Sequence, residues 1–150
     1  MEEIDAINRK ILQALVTDGR LSNTALAERV ALSPSACLRR VQELERAGVI
    51  TGYRAVLNPA ALGVGFVAYV SIGLVRHVLG EQQAFEHAMA VASMVKECHN
   101  VTGAVEYLLR VEVADLAAYK RFHAEVLGSL PQVATITSYI VMDSPKDERA

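Results

Sequence analysis

Between Val64 and Met142 the apolar residues change spacing from two to three-or-four and back again, twice over. That double change limits the fold more than any other feature of the chain, because period two marks strands and period 3.6 marks helices. Val64 to Val75 reads as a strand, with Phe66, Ala68, Val70, Ile72 and Leu74 on one face and Val67, Tyr69, Ser71, Gly73 and Val75 on the other. A helix follows from Glu81 to Ala92, turning Phe85, Ala88, Met89 and Ala92 inward. Strand spacing returns from Val95 to Thr102, turns at Gly103, and continues from Glu106 to Val113. Asp115 then caps a helix carrying Tyr119, Phe122 and Val126 that ends near Gly128, and Val133 to Met142 is the last strand. The order βαββαβ predicts a ferredoxin-like α+β unit. Two helices cover only one face of a four-stranded sheet. The other face carries Val67, Tyr69, Val75 and Leu108, so it calls for a partner, and a second copy of the chain is the expected one.

The first fifty residues follow a purely helical rhythm. Ile4, Ile7, Ile11, Leu12 and Leu15 form one apolar stripe, with Asp5 near its start and Asp18-Gly19 at its end. Ser22 is placed to cap a short second helix that points Leu26 and Val30 inward around small Ala27. Ala31-Leu32 is the connection. Ser33 can cap the next helix, and Pro34 suits its first position, where no amide hydrogen is required. This third helix runs to Ala47 and stops at Gly48, with Cys37, Val41 and Leu44 inward and Leu38 at the margin.

Three short helices with a tight turn before the third describe a helix-turn-helix, whose second motif helix places its N-terminal residues against base edges in the DNA major groove. The outward face of residues 34–47 carries Ser35, Ala36, Arg39, Arg40, Gln42 and Glu43. Small residues at its start allow close approach. Arginine suits two-pronged contacts to guanine or phosphate. These six residues, with Ser22 and Ser33 at the helix starts, are the candidate DNA-binding set. The charge balance agrees weakly: residues 1–57 carry eight Lys/Arg against seven Asp/Glu, whereas residues 58–150 carry seven against ten.

Thr51 to Leu57 reads as a strand-like arm stopped by Asn58-Pro59, and its Tyr53, Val56 and Leu57 call for burial. The expected division is therefore a helix-turn-helix domain at 1–50, a connecting arm at 51–62, a ferredoxin-like domain at 63–142 and a tail at 143–150. Apolar residues make up 52% of the chain, enough for real cores, yet no apolar run reaches the 18 or so residues of a membrane helix. Glu2, Glu3 and Asp5 stand where a signal peptide would be positive. Cys37 and Cys98 form no spaced framework. A cytoplasmic protein with no membrane partner is the expectation. His77, His87, His99 and His123 lack metal-ligand spacing, no Gly-rich phosphate loop occurs, and no Ser, Cys or His stands in an activating setting. Neither a metal nor catalysis is expected.

Asp5 to Leu15, the run "RLSNTALAERVALSPSACLRRVQELERAGVITGYRAVLNPAALG" and "VTGAVEYLLRVEVADLAAY" together resemble the leucine-responsive regulatory protein/asparagine regulator (Lrp/AsnC, feast/famine) family over essentially the whole chain. The resemblance implies a sequence-specific transcriptional regulator that binds double-stranded DNA. It implies homodimers assembling further, often to octamers. It implies no cofactor beyond a non-covalent, amino-acid-like effector bound between dimers near the Gly103 turn. The candidate effector residues are Val101, Thr102, Gly103, Ala104, Glu106 and Tyr107, joined by Thr135, Thr137 and Ser138 on the last strand. Glu106 could pair with an amino group, and the backbone near Gly103 with a carboxylate. Family members commonly carry Asp where this chain has Ala104 and Glu106, which implies a different ligand preference or a lost one. The alternative is an architectural DNA-binding protein that responds to no effector.

Overall fold

The computed structural model describes residues 4–147, so the last three residues of the expected tail lie outside it. The chain divides between Ala55 and Val56 into two compact units, inside the stretch expected to be a connector.

The first unit holds three helices. α1 (Ala6–Thr17) begins where the Asp5 carboxylate accepts the Asn8 amide hydrogen at 2.7 Å. α2 (Asn23–Arg29) and α3 (Pro34–Arg46) begin the same way, with Ser22 accepting from Ala25 N and Ser33 from Ala36 N. Each cap satisfies an amide that would otherwise lack a partner. The apolar seams meet in a small core of Ile11, Leu26, Ala27, Val30, Cys37 and Leu44, ringed by Ile7, Leu12, Leu15, Val41 and Ile50. The α2–α3 turn is tight because Ala31 adopts a left-handed backbone, φ 55°, which lets Leu32 N donate back to Ala27 O at 2.9 Å. Asn23 Nδ2 then donates to Pro34 O at 2.8 Å and ties the starts of α2 and α3 together.

The second unit is the βαββαβ sandwich. Its strands are β1 (Phe66–Leu74), β2 (Val95–Asn100), β3 (Tyr107–Val113) and β4 (Val133–Ile140), in spatial order β2-β3-β1-β4. Every neighbouring pair is antiparallel. α4 (Leu79–Val91), α5 (Leu116–Arg121) and the turn that follows α5 pack Phe85, Met89, Tyr119 and Phe122 on one face against Ala68, Val70, Ile72, Leu109 and Val111. Strand alternation appears plainly on β3, where Tyr107, Leu109, Val111 and Val113 are buried and Leu108 is exposed.

Three expectations need correction. Residues 51–58 form no strand, and Tyr53, Val56 and Leu57 are 54%, 66% and 59% exposed. A strand exists only with a neighbour to bond, and among the described residues this arm pairs with none. The helix expected to run regularly from Asp115 to Gly128 is α-helical only to Arg121; a π turn at Phe122–Val126 and a 3₁₀ turn at Leu127–Ser129 complete it. These two turns still bury Phe122 and Leu127. Finally, β1 starts at Phe66 rather than Val64, because a 3₁₀ turn at Ala60–Leu62 and the bond from Val64 N to Pro59 O hold the preceding residues.

The left-handed Ala31 supplies a test. A side chain branched at Cβ strains that conformation most. Ala31→Val should destabilise the helical unit by about 1–2 kcal/mol, and Ala31→Gly should not destabilise it. Urea unfolding followed by circular dichroism checks both.

Candidate functional site

Two sites follow from the fold. The first is the N-terminal half of α3. Ser35, Gln42 and Glu43 are exposed and Ala36 is half-buried, giving the low surface expected at the start of a groove-binding helix. Ser22 and Ser33 have their oxygens engaged as caps, and Ser33 Oγ lies 3.3 Å from Ser35 Oγ. A capping hydroxyl still has a hydrogen to donate, so both serines remain competent to bond phosphate.

The two arginines divide. Arg39 is 70% exposed, and its nearest acid, Glu43, stands 3.9 Å away, so the guanidinium can reach outward. Arg40 is 25% exposed and donates to Asp5 Oδ2 at 2.7 Å and to Asn8 Oδ1 at 3.0 Å. It lies against α1 rather than projecting freely. The Asn8 amide, and after it Arg40, hold the Asp5 carboxyl below its ordinary value. Sequence spacing does not disclose this clasp, because Asp5 and Arg40 are 35 residues apart.

The second site is the hairpin turn from Val101 to Glu106, closed by the bond from Val101 N to Glu106 O at 2.8 Å. Thr102, Gly103 and Ala104 are exposed and Val101 is half-buried. Gly103 has φ 148° and open space around it. The turn thus needs Gly for its backbone shape, and it offers that backbone to solvent. Glu106 is not a solvent-facing strand residue. Its side chain is 15% exposed; Oε2 accepts from Leu74 N at 2.6 Å and Oε1 meets His77 Nδ1 at 3.0 Å.

Thr135 joins this group from β4. It stands opposite Gly73 in the β1–β4 register, and a Cβ on Gly73 would run into its hydroxyl. Thr137, two residues on, shares its face of the sheet. The remaining candidates point elsewhere. Ser138 lies on the helix-covered face with its hydroxyl 2.5 Å from Tyr119 OH. Tyr107 is 1% exposed beneath α4, its ring centroid 4.7 Å from that of Phe85, and it donates to Glu86 Oε1 at 2.7 Å. Burial first, then that bond, push its phenol up to about 12. His77, Gly73 and Glu86 were not among the candidates. Gly73 alone had a sequence signal, as a glycine inside a strand.

A model of the Lrp/AsnC ligand binding domain matches residues 67–150, and one of winged helix-turn-helix DNA-binding domains matches residues 4–51. The chain belongs to the Lrp/AsnC family. Leucine-responsive regulatory proteins of Klebsiella pneumoniae and Escherichia coli K12 are each 41% identical to it over 97% of this chain and 88% of theirs. The crystal structure of a Neisseria meningitidis transcriptional regulator in complex with L-Met superposes with a TM-score of 0.92 at 35% identity, covering 97% of this chain and 94% of that one. An AsnC family transcriptional regulator from Agrobacterium tumefaciens gives 0.89 at 33% identity, over 95% and 93% of the two chains. This Lrp/AsnC protein is therefore a transcriptional regulator that joins a helix-turn-helix DNA-binding domain to a ligand-binding domain, with the α+β architecture expected from its sequence. Among the described residues no helix is long and apolar enough to cross a membrane.

The divided arginines generate a prediction. Arg40→Ala should lower the melting temperature by a few degrees, because it breaks the clasp on α1. Arg39→Ala should leave melting unchanged. The Asp5 carboxyl, held low in the folded state, contributes stability that is complete above the ordinary carboxylate range near pH 4 and fades as the pH falls through its depressed value. Wild type should therefore lose more stability than Arg40→Ala between about pH 5 and 2. Thermal melts across that range read both effects.

Proposed function

We propose that this regulator binds its operators through α3 and changes its DNA affinity when an amino acid occupies the turn at 101–106. In this reading Arg39 contacts a base or phosphate while Ser35 and Ala36 lie against the groove floor. Ser22 and Ser33 contact phosphate, Gln42 and Glu43 flank the contact, and Arg40 steadies the helix. Val101, Thr102, Gly103 and Ala104 present backbone to the effector's carboxylate, Glu106 attracts its amino group, and Thr135 and Thr137 complete the wall. Regulation, not catalysis, is the activity, and the cytoplasm its place.

The observation that carries the effector half is the pairing of an exposed, positive-φ glycine turn with an adjacent, nearly enclosed carboxylate. Backbone amides and a carboxylate side by side suit the two charged ends of an amino acid. The L-Met held by the Neisseria meningitidis relative supports the ligand class. The uncovered sheet face supports assembly: Tyr69, Val75, Leu108 and Tyr139 are 38%, 58%, 41% and 59% exposed on one chain. A second copy laid on that face buries them, and such dimers assemble further, an octamer being the expected size. A dimer places two α3 helices on half-sites about one helical turn, roughly 34 Å, apart or a multiple of it.

A thermal-shift screen against the twenty amino acids tests this directly, since a ligand of the folded form raises stability by about 2.7 kcal/mol at a hundredfold excess over Kd. At least one amino acid should raise the melting temperature. Valine at position 103 cannot adopt φ 148° without strain, so Gly103→Val should lose that response while light scattering still reports an oligomer. A chain that binds its operators yet answers no amino acid is the architectural alternative.

A further inference from the structure

Glu106 holds two very different partners. Its Oε2 takes the Leu74 amide hydrogen at 2.6 Å. That amide is available because it faces the β3 edge, where the β1–β3 ladder ends at Ile72, two residues before it. Gly73 and the Thr135 hydroxyl pack tightly beside it, with Glu106 Oε2 3.8 Å from where a Gly73 Cβ would lie. This half of the carboxylate is part of the sheet. Among the described residues its other oxygen meets only an imidazole side chain that is itself 72% exposed, on the irregular segment between β1 and α4.

An enclosed carboxylate requires a donor or a cation. An exposed side chain is a weak supplier, since such pairs hold by little and exchange readily with solvent or solute. A primary ammonium carries three donors on a compact, fully charged group. It can therefore take the oxygen that His77 covers without disturbing the one bonded to Leu74.

We propose that His77 is a built-in competitor for the effector's ammonium group. The imidazole occupies Glu106 Oε1 in the free chain and leaves when an α-amino acid binds, while Glu106 Oε2 stays on Leu74 N. The proposal rests on the amino-acid reading of the 101–106 turn. It adds that His77 sets the affinity and that the site requires a free ammonium: a carboxylic acid of the same shape without the nitrogen cannot displace the imidazole.

The test is calorimetric titration of the full chain and of His77→Ala with the twenty L-amino acids, the tightest being compared with its deaminated analogue. His77 is exposed, so its replacement leaves the fold intact. His77→Ala should tighten amino-acid binding roughly three- to fivefold, the upper part of what an exposed ion pair commands. The deaminated analogue should give no heat with either protein. In amide NMR spectra the Leu74 resonance should stay at its hydrogen-bonded position when the amino acid saturates either protein. Unchanged or weaker binding by His77→Ala, or binding of the analogue to wild type, overturns the competitor and leaves the amino-acid reading standing. No binding of any amino acid to either protein overturns both.

Discussion

Everything in the second unit is referred to β1. It is an interior strand, bonded to β3 on one side and β4 on the other, and from Val70 to Leu74 it is buried on both faces. Its helix-facing residues Ala68, Val70 and Ile72 anchor the core, where truncating an Ile to Ala typically costs about 2–5 kcal/mol. Its other face narrows to Ser71 and Gly73, and that narrowing is what lets Thr135 and Glu106 close over the strand. A chain with a bulky residue at 73 could fold much the same sheet but could not seat the carboxylate where it is. The proposed ligand site is thus a consequence of how tightly the central strand is packed.

The first unit solves a different problem with similar economy. Three caps, Asp5, Ser22 and Ser33, each satisfy the start of one helix. Asp5 serves twice, because its second oxygen holds Arg40. One arginine of the pair fixes α3 against α1 and its neighbour faces solvent. An adjacent pair on a helix is about 100° apart around the axis, which is why one side chain can face α1 while the next faces outward.

The sequence disclosed what depends on periodicity and on local chemistry. The alternation on β1 and β3, the stripes of α1 and α4, and the four caps at Asp5, Ser22, Ser33 and Asp115 all follow from residues a few positions apart. What it did not disclose depends on contacts between distant segments. Arg40 looks exposed by spacing and Ser138 was grouped with Thr135 and Thr137, but their partners, Asp5 and Tyr119, come from other segments. Tyr107 and Glu106 are neighbours in the chain and were grouped together, yet strand geometry sends them to opposite faces. His77 carried no signal at all, since an isolated histidine after a strand is ordinary until a carboxylate 29 residues on proves to meet it. The arm at 51–57 has the composition of a strand but joins no sheet among the described residues, and pairing cannot be read from one strand alone.

The central claim is that amino-acid occupancy and DNA binding are one linked equilibrium. Fluorescence anisotropy on an operator selected from genomic fragments, titrated with and without each amino acid at fixed salt, measures that linkage. The account predicts that at least one amino acid shifts the operator Kd by about 5- to 150-fold, a coupling of about 1–3 kcal/mol, and that operator DNA shifts the affinity for that amino acid by the same factor. An operator Kd that is identical in the presence of every amino acid, measured on a protein that binds one of them, would contradict it.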